Sequence, residues 1–571
     1  MARDYKKFST EELIKYIEEL EQQLKSEKYG LYWDKSIEKE DCVKQCENNI
    51  PVFVRDSTKG LNYGTNNNLL IEGDNFHSLT TLKMLSNGNP ICDAIYIDPP
   101  YNTGNEDFAY NDNYIDGDDG YRHSKWLSFM ELRLKIAREI LADEGCIFIS
   151  IDDNEQANLK LLCDQIFGSK NFVNCISIKM SEMSGVKMAH INSRLPKLKE
   201  YCLIYSKTNN FEISPIQKNR IDNLEDFSKY AKYYSKIIEN KELPIEDWKI
   251  IPINDYLNKN NIHLKNEQEI LRFKIENADR MVYRTNNRSF NKIKCDKTIT
   301  KIISSTGLEY IWWEGKQMLF LSDYTKTYEG DLWTDISTIN LNKEGGVDYQ
   351  NGKKPLKLLT KLFSLIKKKD PVILDFFAGS GSTAEAILLM NKNDGQNRKF
   401  ILCQCNEEKN NICTDVTYPR LKTVITGIRP DGTRYSDGIP ANLIYYKTDF
   451  IRDSNNTDQA KYCLVEKVDE LLCISENIFI QKERNDYSSH YVSNDESKHM
   501  FIYSDYYNEN KFNEFKNRVI SADGDKIVYV FSSDNNVDET LFENEKNVVV
   551  KPIPSKIYEI YKGIVEDIKR G

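Results

Sequence analysis

The chain has 571 residues, of which 40% are hydrophobic and 29% charged, and it carries a formal net charge of -10. That length excludes a peptide hormone or a disulfide miniprotein and, at roughly 150 residues per domain, suggests three or four domains. A mean hydropathy of -0.60, with no apolar run near the roughly 18 residues that span a bilayer, predicts a soluble protein with no membrane segment.

The pattern along the chain is uneven. Residues 8–27 predict an amphipathic helix, with Ser9 and Glu12 as a capping box and Leu13, Ile17, Leu20 and Leu24 on one face. It could pack on its own domain or meet a second copy or a partner. From 67 to 179 strands and helices alternate: a strand at 68–74, a helix at 76–85, a strand at 92–97, a helix at 126–141 and a strand at 145–151. Residues 180–330 lose this regularity, becoming rich in Asn, Lys and Tyr. Alternation returns over 331–450, with helical spacing at 355–359 and 383–390 and strands at 372–374 and 399–403. Beyond 451, strand-like runs at 500–503, 526–531 and 547–550 predict a small, separate α/β domain. The fold class expected is α/β with a parallel sheet, built from two stretches on either side of an insert.

Charge follows the same division. Residues 181–330 hold about 25 basic against 20 acidic side chains, and residues 451–571 about 16 against 23. Thirteen scattered cysteines and six histidines, with no zinc-type spacing, predict reduced thiols and no metal. The N-terminus MARDYKKFSTEEL has no apolar core behind its basic residues, so no export signal is visible and a cytoplasmic location is expected.

Two segments carry chemistry. In Ile95-Tyr96-Ile97-Asp98-Pro99-Pro100-Tyr101 a carboxylate, two prolines and an aromatic stand where a buried strand ends. The prolines stiffen the backbone and offer carbonyls without N–H groups. Asp98 and the Pro99 carbonyl could accept the two N–H bonds of an amino group, and Tyr101 could stack on its ring, as for a nucleobase. Two such acceptors favour a pyramidal attacking nitrogen, so their effect is concentrated in the transition state. A plain strand-ending turn is the alternative. In Val372-Ile373-Leu374-Asp375-Phe376-Phe377-Ala378-Gly379-Ser380-Gly381-Ser382-Thr383, a strand runs through a glycine turn into a helix. Such a turn allows close backbone approach by a ligand, and the helix start suits an anion. It lacks the Gly-Lys-Ser/Thr of a P-loop and the third glycine of a dinucleotide fingerprint.

Taken together, Asp-Pro-Pro-Tyr followed by Phe-x-Gly-x-Gly resembles the amino-methylating DNA methyltransferases of the β group. Glu72-Gly73-Asp74-Asn75, the DPPYNTG run at 98–104, Tyr110-Asn111-Asp112, the RHSKWL run at 122–127, Phe148 to Asp153, Lys353-Lys354-Pro355 and Asp375 to Thr383 resemble the modification subunit of type III restriction-modification systems. The likeness covers about residues 67–450. It implies a Rossmann-like, circularly permuted, S-adenosylmethionine-dependent fold, with an inserted target-recognition region at 180–330 and a small C-terminal domain. It implies N6 of a flipped adenine as methyl acceptor, double-stranded DNA as partner, a homodimer, and an ATP-dependent restriction subunit as a further partner. Residue by residue, Asp98, Pro99, Pro100 and Tyr101 would hold the target base. Asp74, Asp375, Phe377, Ala378, Gly379, Gly381 and Thr383 would line the cofactor. The family often has an acid for the ribose hydroxyls; here Gln404 stands about 25 residues after the glycine turn, leaving Gln404 and Glu407 as candidates. Rival expectations are cytosine-N4 or RNA adenine methylation, or a noncatalytic DNA-reading subunit.

An adenine amine in a duplex is paired and stacked, so the base must flip, at a cost of a few kcal/mol repaid by contacts to DNA. Residues 272–301 hold nine basic residues against three acids. Arg280, Arg284, Arg288, Lys292 and Lys294 are the candidate contacts, since Arg reads guanine edges and Lys suits phosphates. A solvated basic face is the alternative. The acidic loop 102–120 misses the calcium-loop spacing and is expected to be a mobile lid.

Overall fold

A computed structural model describes the chain at Ile14 and Ile17 and from residue 31 to 566, leaving out 182–194, 286–298, 304–308, 532–538, 554–559 and stretches of one to four residues elsewhere. The helix expected at 8–27 lies outside the described residues except at Ile14 and Ile17, both helical. The chain divides into two compact units, one of residues 1–213 with 331–571 and one of residues 214–330.

Among the described residues, the main sheet of the first unit has eleven strands, two of them short (Leu61–Asn62 and Leu332–Trp333). Its longer strands in chain order are β1 (Ile50–Arg55), β2 (Asn67–Glu72), β3 (Cys92–Ile97), β4 (Leu141–Ile151), β5 (Phe172–Lys179), β6 (Lys199–Ser206), β7 (Val372–Asp375), β8 (Lys399–Gln404) and β9 (Asn442–Ile451). In space they run β1-β9-β2-β8-β7-β3-β4-β6-β5. All pairs from β9 to β4 are parallel, while β1 and β6 run against their neighbours. Strands β3, β4 and β8 read as near-continuous apolar runs, as parallel strands covered on both faces must.

The halves that are far apart in sequence meet at the centre. β7 pairs directly with β3, with Ile373 opposite Ala94 and Leu374 opposite Ile95. Both strands end at the same edge, so the Asp-Pro-Pro-Tyr turn and the glycine turn are neighbours there. Ile95, Ile97, Ile373 and Leu374 are fully buried, each such side chain adding roughly 1.5–3 kcal/mol relative to exposure.

The helices that frame the site are α1 (Asp41–Asn48), α2 (Asn75–Ser86), α3 (Arg122–Ile140), α4 (Leu356–Phe363), α5 (Ser382–Asp394) and α6 (Tyr418–Thr426). Helix α3 starts four residues before the apolar spacing predicts, because Arg122 to Lys125 are polar and add nothing to the stripe. Helix α5 opens from Gly381 and closes at Gly395, both left-handed, a conformation glycine adopts without the usual penalty.

The boundary expected at 180 moves. β6 lies between β4 and β5 in the main sheet, so residues up to 213 belong to the first unit and the second begins at Ser214. Residues 1–66 are not purely helical either, since β1 pairs with β9 along its whole length. After α7 (Thr457–Glu476), strands β10 (Ile480–Arg484), β11 (Ser488–Val492), β12 (Lys498–Tyr503), β13 (Asp525–Phe531) and β14 (Val548–Ile553) form their own sheet, with α8 (Glu509–Ser521) between β12 and β13. This C-terminal sheet belongs to the same compact unit as the main one.

The second unit carries a six-stranded antiparallel sheet in the order 250–252, 236–238, 281–284, 316–320, 309–313, 299–303. Phe227, Tyr234, Ile237, Met281 and Leu321 form a core of its own. Among the described residues no helix is long and apolar enough to cross a membrane.

Candidate active site

Asp98 follows β3 directly, and its carboxylate has two different oxygens. Oδ1 lies 2.9 Å from the Tyr101 hydroxyl and 3.2 Å from Lys354 Nζ, whereas Oδ2 has no partner among the described residues. Lys354 also donates to the Tyr101 oxygen at 2.6 Å and to Glu200 Oε2 at 2.7 Å. The Tyr101 hydroxyl is 3.0 Å from that same Glu200 oxygen. Burial pushes the Asp98 carboxyl above its ordinary range, with Lys354 working against the shift and Glu200 with it. Burial acts upward on Glu200 too and is the largest single effect, but the Lys354 charge with the hydrogen bonds from Lys354 and Tyr101 together hold that carboxyl low. Lys354, buried between two acids, is raised.

The rest of the turn is fixed from behind. Trp126 Nε1 donates to the Pro100 carbonyl at 2.7 Å, so of the two proline carbonyls this one is already engaged. Asn102 adopts a left-handed φ of 56°, which Asn tolerates better than most residues. Its amide donates to the fully buried Glu155 at 2.5 Å, and Glu155 also meets His123 Nδ1 at 2.6 Å. The loop beyond, expected as a mobile lid, is anchored: Phe108 and Ile115 are buried, and Asn111 accepts from the Asp41 amide at 2.8 Å. Its apolar residues hold it down where its acids suggested a free loop. Among the described residues no acids, histidines or cysteines cluster so as to hold a metal.

The glycine turn sits one strand away. Asp375 is 2% exposed; it accepts from Thr383 Oγ1 at 2.6 Å and from the Phe377 amide at 3.0 Å. Burial pushes its carboxyl up to about 7. Asp375 and Thr383 are thus turned on each other and brace the turn rather than face a ligand. The Ala378 amide donates to the Cys403 carbonyl at 3.2 Å and the Gly379 amide to Gln404 Oε1 at 2.7 Å. Gln404, expected at a ribose, is placed as a clasp on the glycine turn, and Glu407 lies outside the described residues. From the far side Arg420, fully buried, donates to Ser380 Oγ at 2.9 Å, Ser382 Oγ at 2.7 Å and Glu385 at 2.7 Å.

A cofactor has room here. A Cβ on Gly379, at φ +49°, would meet nothing nearer than the Phe377 carbonyl at 3.9 Å. Phe377 is half-buried in a row of rings, with Phe129 at 5.9 Å and Phe108 beyond at 5.3 Å from Phe129. Asp74, just beyond β2, keeps its carboxylate one-third exposed while accepting from the Phe76 amide at 2.7 Å. An acid after β2, and a glycine turn and an aromatic wall after β7, at the same ends of parallel strands separated by β8, fit a nucleoside with an amino-acid tail. Behind Asp74, Asn75 donates to the Phe376 carbonyl at 3.1 Å and accepts from Arg133 Nε at 2.6 Å. Arg133 is held in turn by Glu40 at 2.9 and 3.1 Å.

The proposed DNA contacts fare unevenly. Arg280 donates to the Ile238 carbonyl at 3.0 Å and also to the Glu239 carbonyl, so it braces the second unit's sheet instead of facing solvent as expected. Lys274 is buried on the Ala231 carbonyl at 2.8 Å. Arg284 is partly exposed, with Glu314 Oε2 4.0 Å away. Arg288, Lys292 and Lys294 lie outside the described residues.

Sequence reasoning missed Glu200 and Arg420, and it quoted Lys354 and Trp126 only as parts of runs. No local signal marks Glu200 as facing Asp98, 102 residues earlier in the sequence.

A parallel α/β sheet with an Asp-Pro-Pro-Tyr turn beside a glycine turn, in permuted order, defines the class of the amino-methyltransferases. The chain belongs to the DNA methylase family, whose model matches residues 92–415. It is 33% identical over 399 residues to a probable type III restriction-modification enzyme HindVI Mod subunit of Haemophilus influenzae, across 63% of this chain and 51% of that protein. It is 31% identical over 463 residues to the type III restriction-modification enzyme EcoPI Mod subunit of Escherichia phage P1, across 70% of this chain and 67% of that protein. The type II methyltransferase M.KpnI of Klebsiella pneumoniae is 31% identical over 348 residues, 58% of this chain and 79% of that protein. The chain thus spans about half the length of the first of these relatives. Among solved structures, the PvuII cytosine-N4-specific DNA methyltransferase aligns at 10% identity with a TM-score of 0.32, across 62% of this chain and 89% of that one.

Proposed function

We propose that this chain transfers a methyl group from S-adenosylmethionine to N6 of an adenine flipped out of double-stranded DNA, as the modification and recognition subunit of a type III restriction-modification system. The observation that carries the reading is the pairing of β7 with β3, which sets the two motifs at one sheet edge. Bound there, the cofactor supplies an electrophilic methyl carbon. Asp98 Oδ2 and the Pro99 carbonyl accept the two amine hydrogens, which biases the nitrogen lone pair outward. When bound, the cofactor would supply the methyl group that the N6 lone pair takes, with the bonding pair left on its sulfur. The Asp98 carboxylate stabilises the positive charge arising on nitrogen, and the surplus proton leaves by way of Oδ2. Tyr101 stacks on the ring. Asp74, Phe377, Ala378, Gly379 and Gly381 hold the cofactor, with Asp375, Thr383 and Gln404 fixing the turn behind them. Much of the acceleration is positional.

Residues 214–330 serve as the DNA-reading unit, with Arg284 and the basic run that follows it as contacts. The working form is a cytoplasmic homodimer that joins an ATP-dependent restriction subunit; the acidic tail and residues 8–27 are its docking elements. Methylation-sensitive sequencing of DNA from cells that express the chain tests the reading: N6-methyladenine should appear at one short recurrent sequence. Methylation at cytosine, or none, would refute it.

A further inference from the structure

The three groups around Asp98, namely Tyr101, Lys354 and Glu200, are arranged in a way the amine-binding role alone does not require. An ammonium 3.2 Å from a carboxylate that must stabilise a cation is adverse: it competes for the same charge. Two features offset this. Lys354 and the Tyr101 hydroxyl both fall on Oδ1 and leave Oδ2 open. Glu200 lies nearer to Lys354, at 2.7 Å, than Asp98 does.

We propose that Lys354 and Glu200 are positioning residues for the amine-accepting carboxylate. Lys354, with Tyr101, clamps Asp98 by Oδ1 and aims Oδ2 at the substrate amine, while Glu200 balances the ammonium so that the cluster keeps one net negative charge. That net charge suits an acceptor that is neutral when it binds and cationic as it reacts, as an exocyclic base amine is. The inference deepens the function proposed above and rests on it for the identity of the amine, not for the coupling among the side chains.

Other groups facing this carboxylate do not substitute for the pair. Tyr96 on β3, Tyr101 on the turn and Cys202 on β6 are all raised by burial and stay neutral through the working range. Asp375 at the end of β7 is itself raised by burial and by Asp98, and Lys197 acts on Glu200. Among the described residues, the charges that bear most on Asp98 are Lys354 and Glu200, acting in opposite directions.

Opposite action gives an opposite signature. Carbodiimide coupling requires the protonated acid, so its pH dependence at Asp98, read by peptide mass spectrometry on the full chain without DNA or cofactor, reports where that carboxyl loses its proton. Lys354→Met should move the midpoint up by about one to three pH units and Glu200→Gln should move it down by about one. Lys354→Arg, which keeps the charge, should stay within about half a unit of wild type. Single-turnover methylation should show its acid limb shifted in the same two directions, with each variant at least about tenfold slower and cofactor affinity by calorimetry unchanged. Midpoints that stay put, or that move the same way in both variants, overturn the proposal. Should Lys354→Met fail to fold, the shape-conserving Glu200→Gln decides, and an unshifted midpoint there is enough to reject it. Because the labelling needs no methyl donor, opposite shifts in a chain that never methylates adenine would refute the function while sparing the coupling.

Discussion

Replacing Glu40 by Gln should loosen the wall behind the cofactor site by an amount the geometry fixes to within a few kcal/mol. The Arg133 side chain is 1% exposed and that of Glu40 8%, and they meet through two hydrogen bonds of 2.9 and 3.1 Å. Gln keeps the shape and one acceptor but removes the charge, so the guanidinium stays buried against Asn75, the Phe129 carbonyl and the Phe129 ring, whose centroid is 3.7 Å away. Breaking one side of a buried pair costs roughly 3–5 kcal/mol, and about 3 kcal/mol corresponds to a factor of roughly one hundred in local opening. Hydrogen exchange read by mass spectrometry on peptides covering α1 and α3 should therefore quicken at least about a hundredfold. Adding Arg133→Met should recover roughly 1–3 kcal/mol of that loss, the coupling expected of side chains in contact. Exchange that quickens less than about fivefold, or a double variant worse than the single, would refute the claim that this pair holds the N-terminal segment to the site.

The buried Asp375 makes a pH prediction. Its carboxyl is pushed up to about 7 from an ordinary 3.8, chiefly by burial, so the folded chain binds that proton more tightly than the unfolded one, and stability falls as pH rises from about 4 to about 7 and then levels. Asp375→Asn removes the dependence, so its Tm should gain on wild type between pH 5 and pH 8, by the equivalent of at most roughly 3 kcal/mol; a constant gap would contradict this. Arg284→Glu should weaken DNA binding and lower its salt slope by about one, whereas Arg280→Met should destabilise residues 214–330 in thermal unfolding; salt titrations showing no change for Arg284→Glu would reject its role. Trp126→Phe deletes the donor to the Pro100 carbonyl and should slow single-turnover methylation about tenfold, a cost of roughly 1–3 kcal/mol, with cofactor affinity kept. A rate within twofold of wild type would show that the turn needs no such support.

The central strands were legible because each is a short apolar run that stops at a turn residue, as at Ile97-Asp98 and Leu374-Asp375. Their adjacency was not a property of either run; it came from the likeness of the two motifs read together, and the sheet order agrees with it. The insert boundary was misplaced because a long stretch of mixed composition after Lys179 separates β5 from β6, and an antiparallel pair closed over such a distance leaves no period to follow. Arg280 was misread for a related reason: a basic residue in a basic run looks solvated until the strand at 236–238 brings carbonyls against it. Asp375 had a local sign that could have been weighed, an acid at a strand end with Thr383 in the first turn of α5. Glu200 had none, since its partners come from two other parts of the chain and its own strand reads as ordinary β sequence.

The most direct test of the account is labelled-methyl transfer from S-adenosylmethionine to DNA by the purified chain, followed by nucleoside analysis, with Asp98→Ala beside wild type. Label should appear in N6-methyldeoxyadenosine, and Asp98→Ala should lose at least roughly a thousandfold in rate while binding the cofactor within about twofold of wild type. Label on cytosine, or an Asp98→Ala chain that still methylates adenine at a comparable rate, would contradict the assignment of the amine-accepting edge.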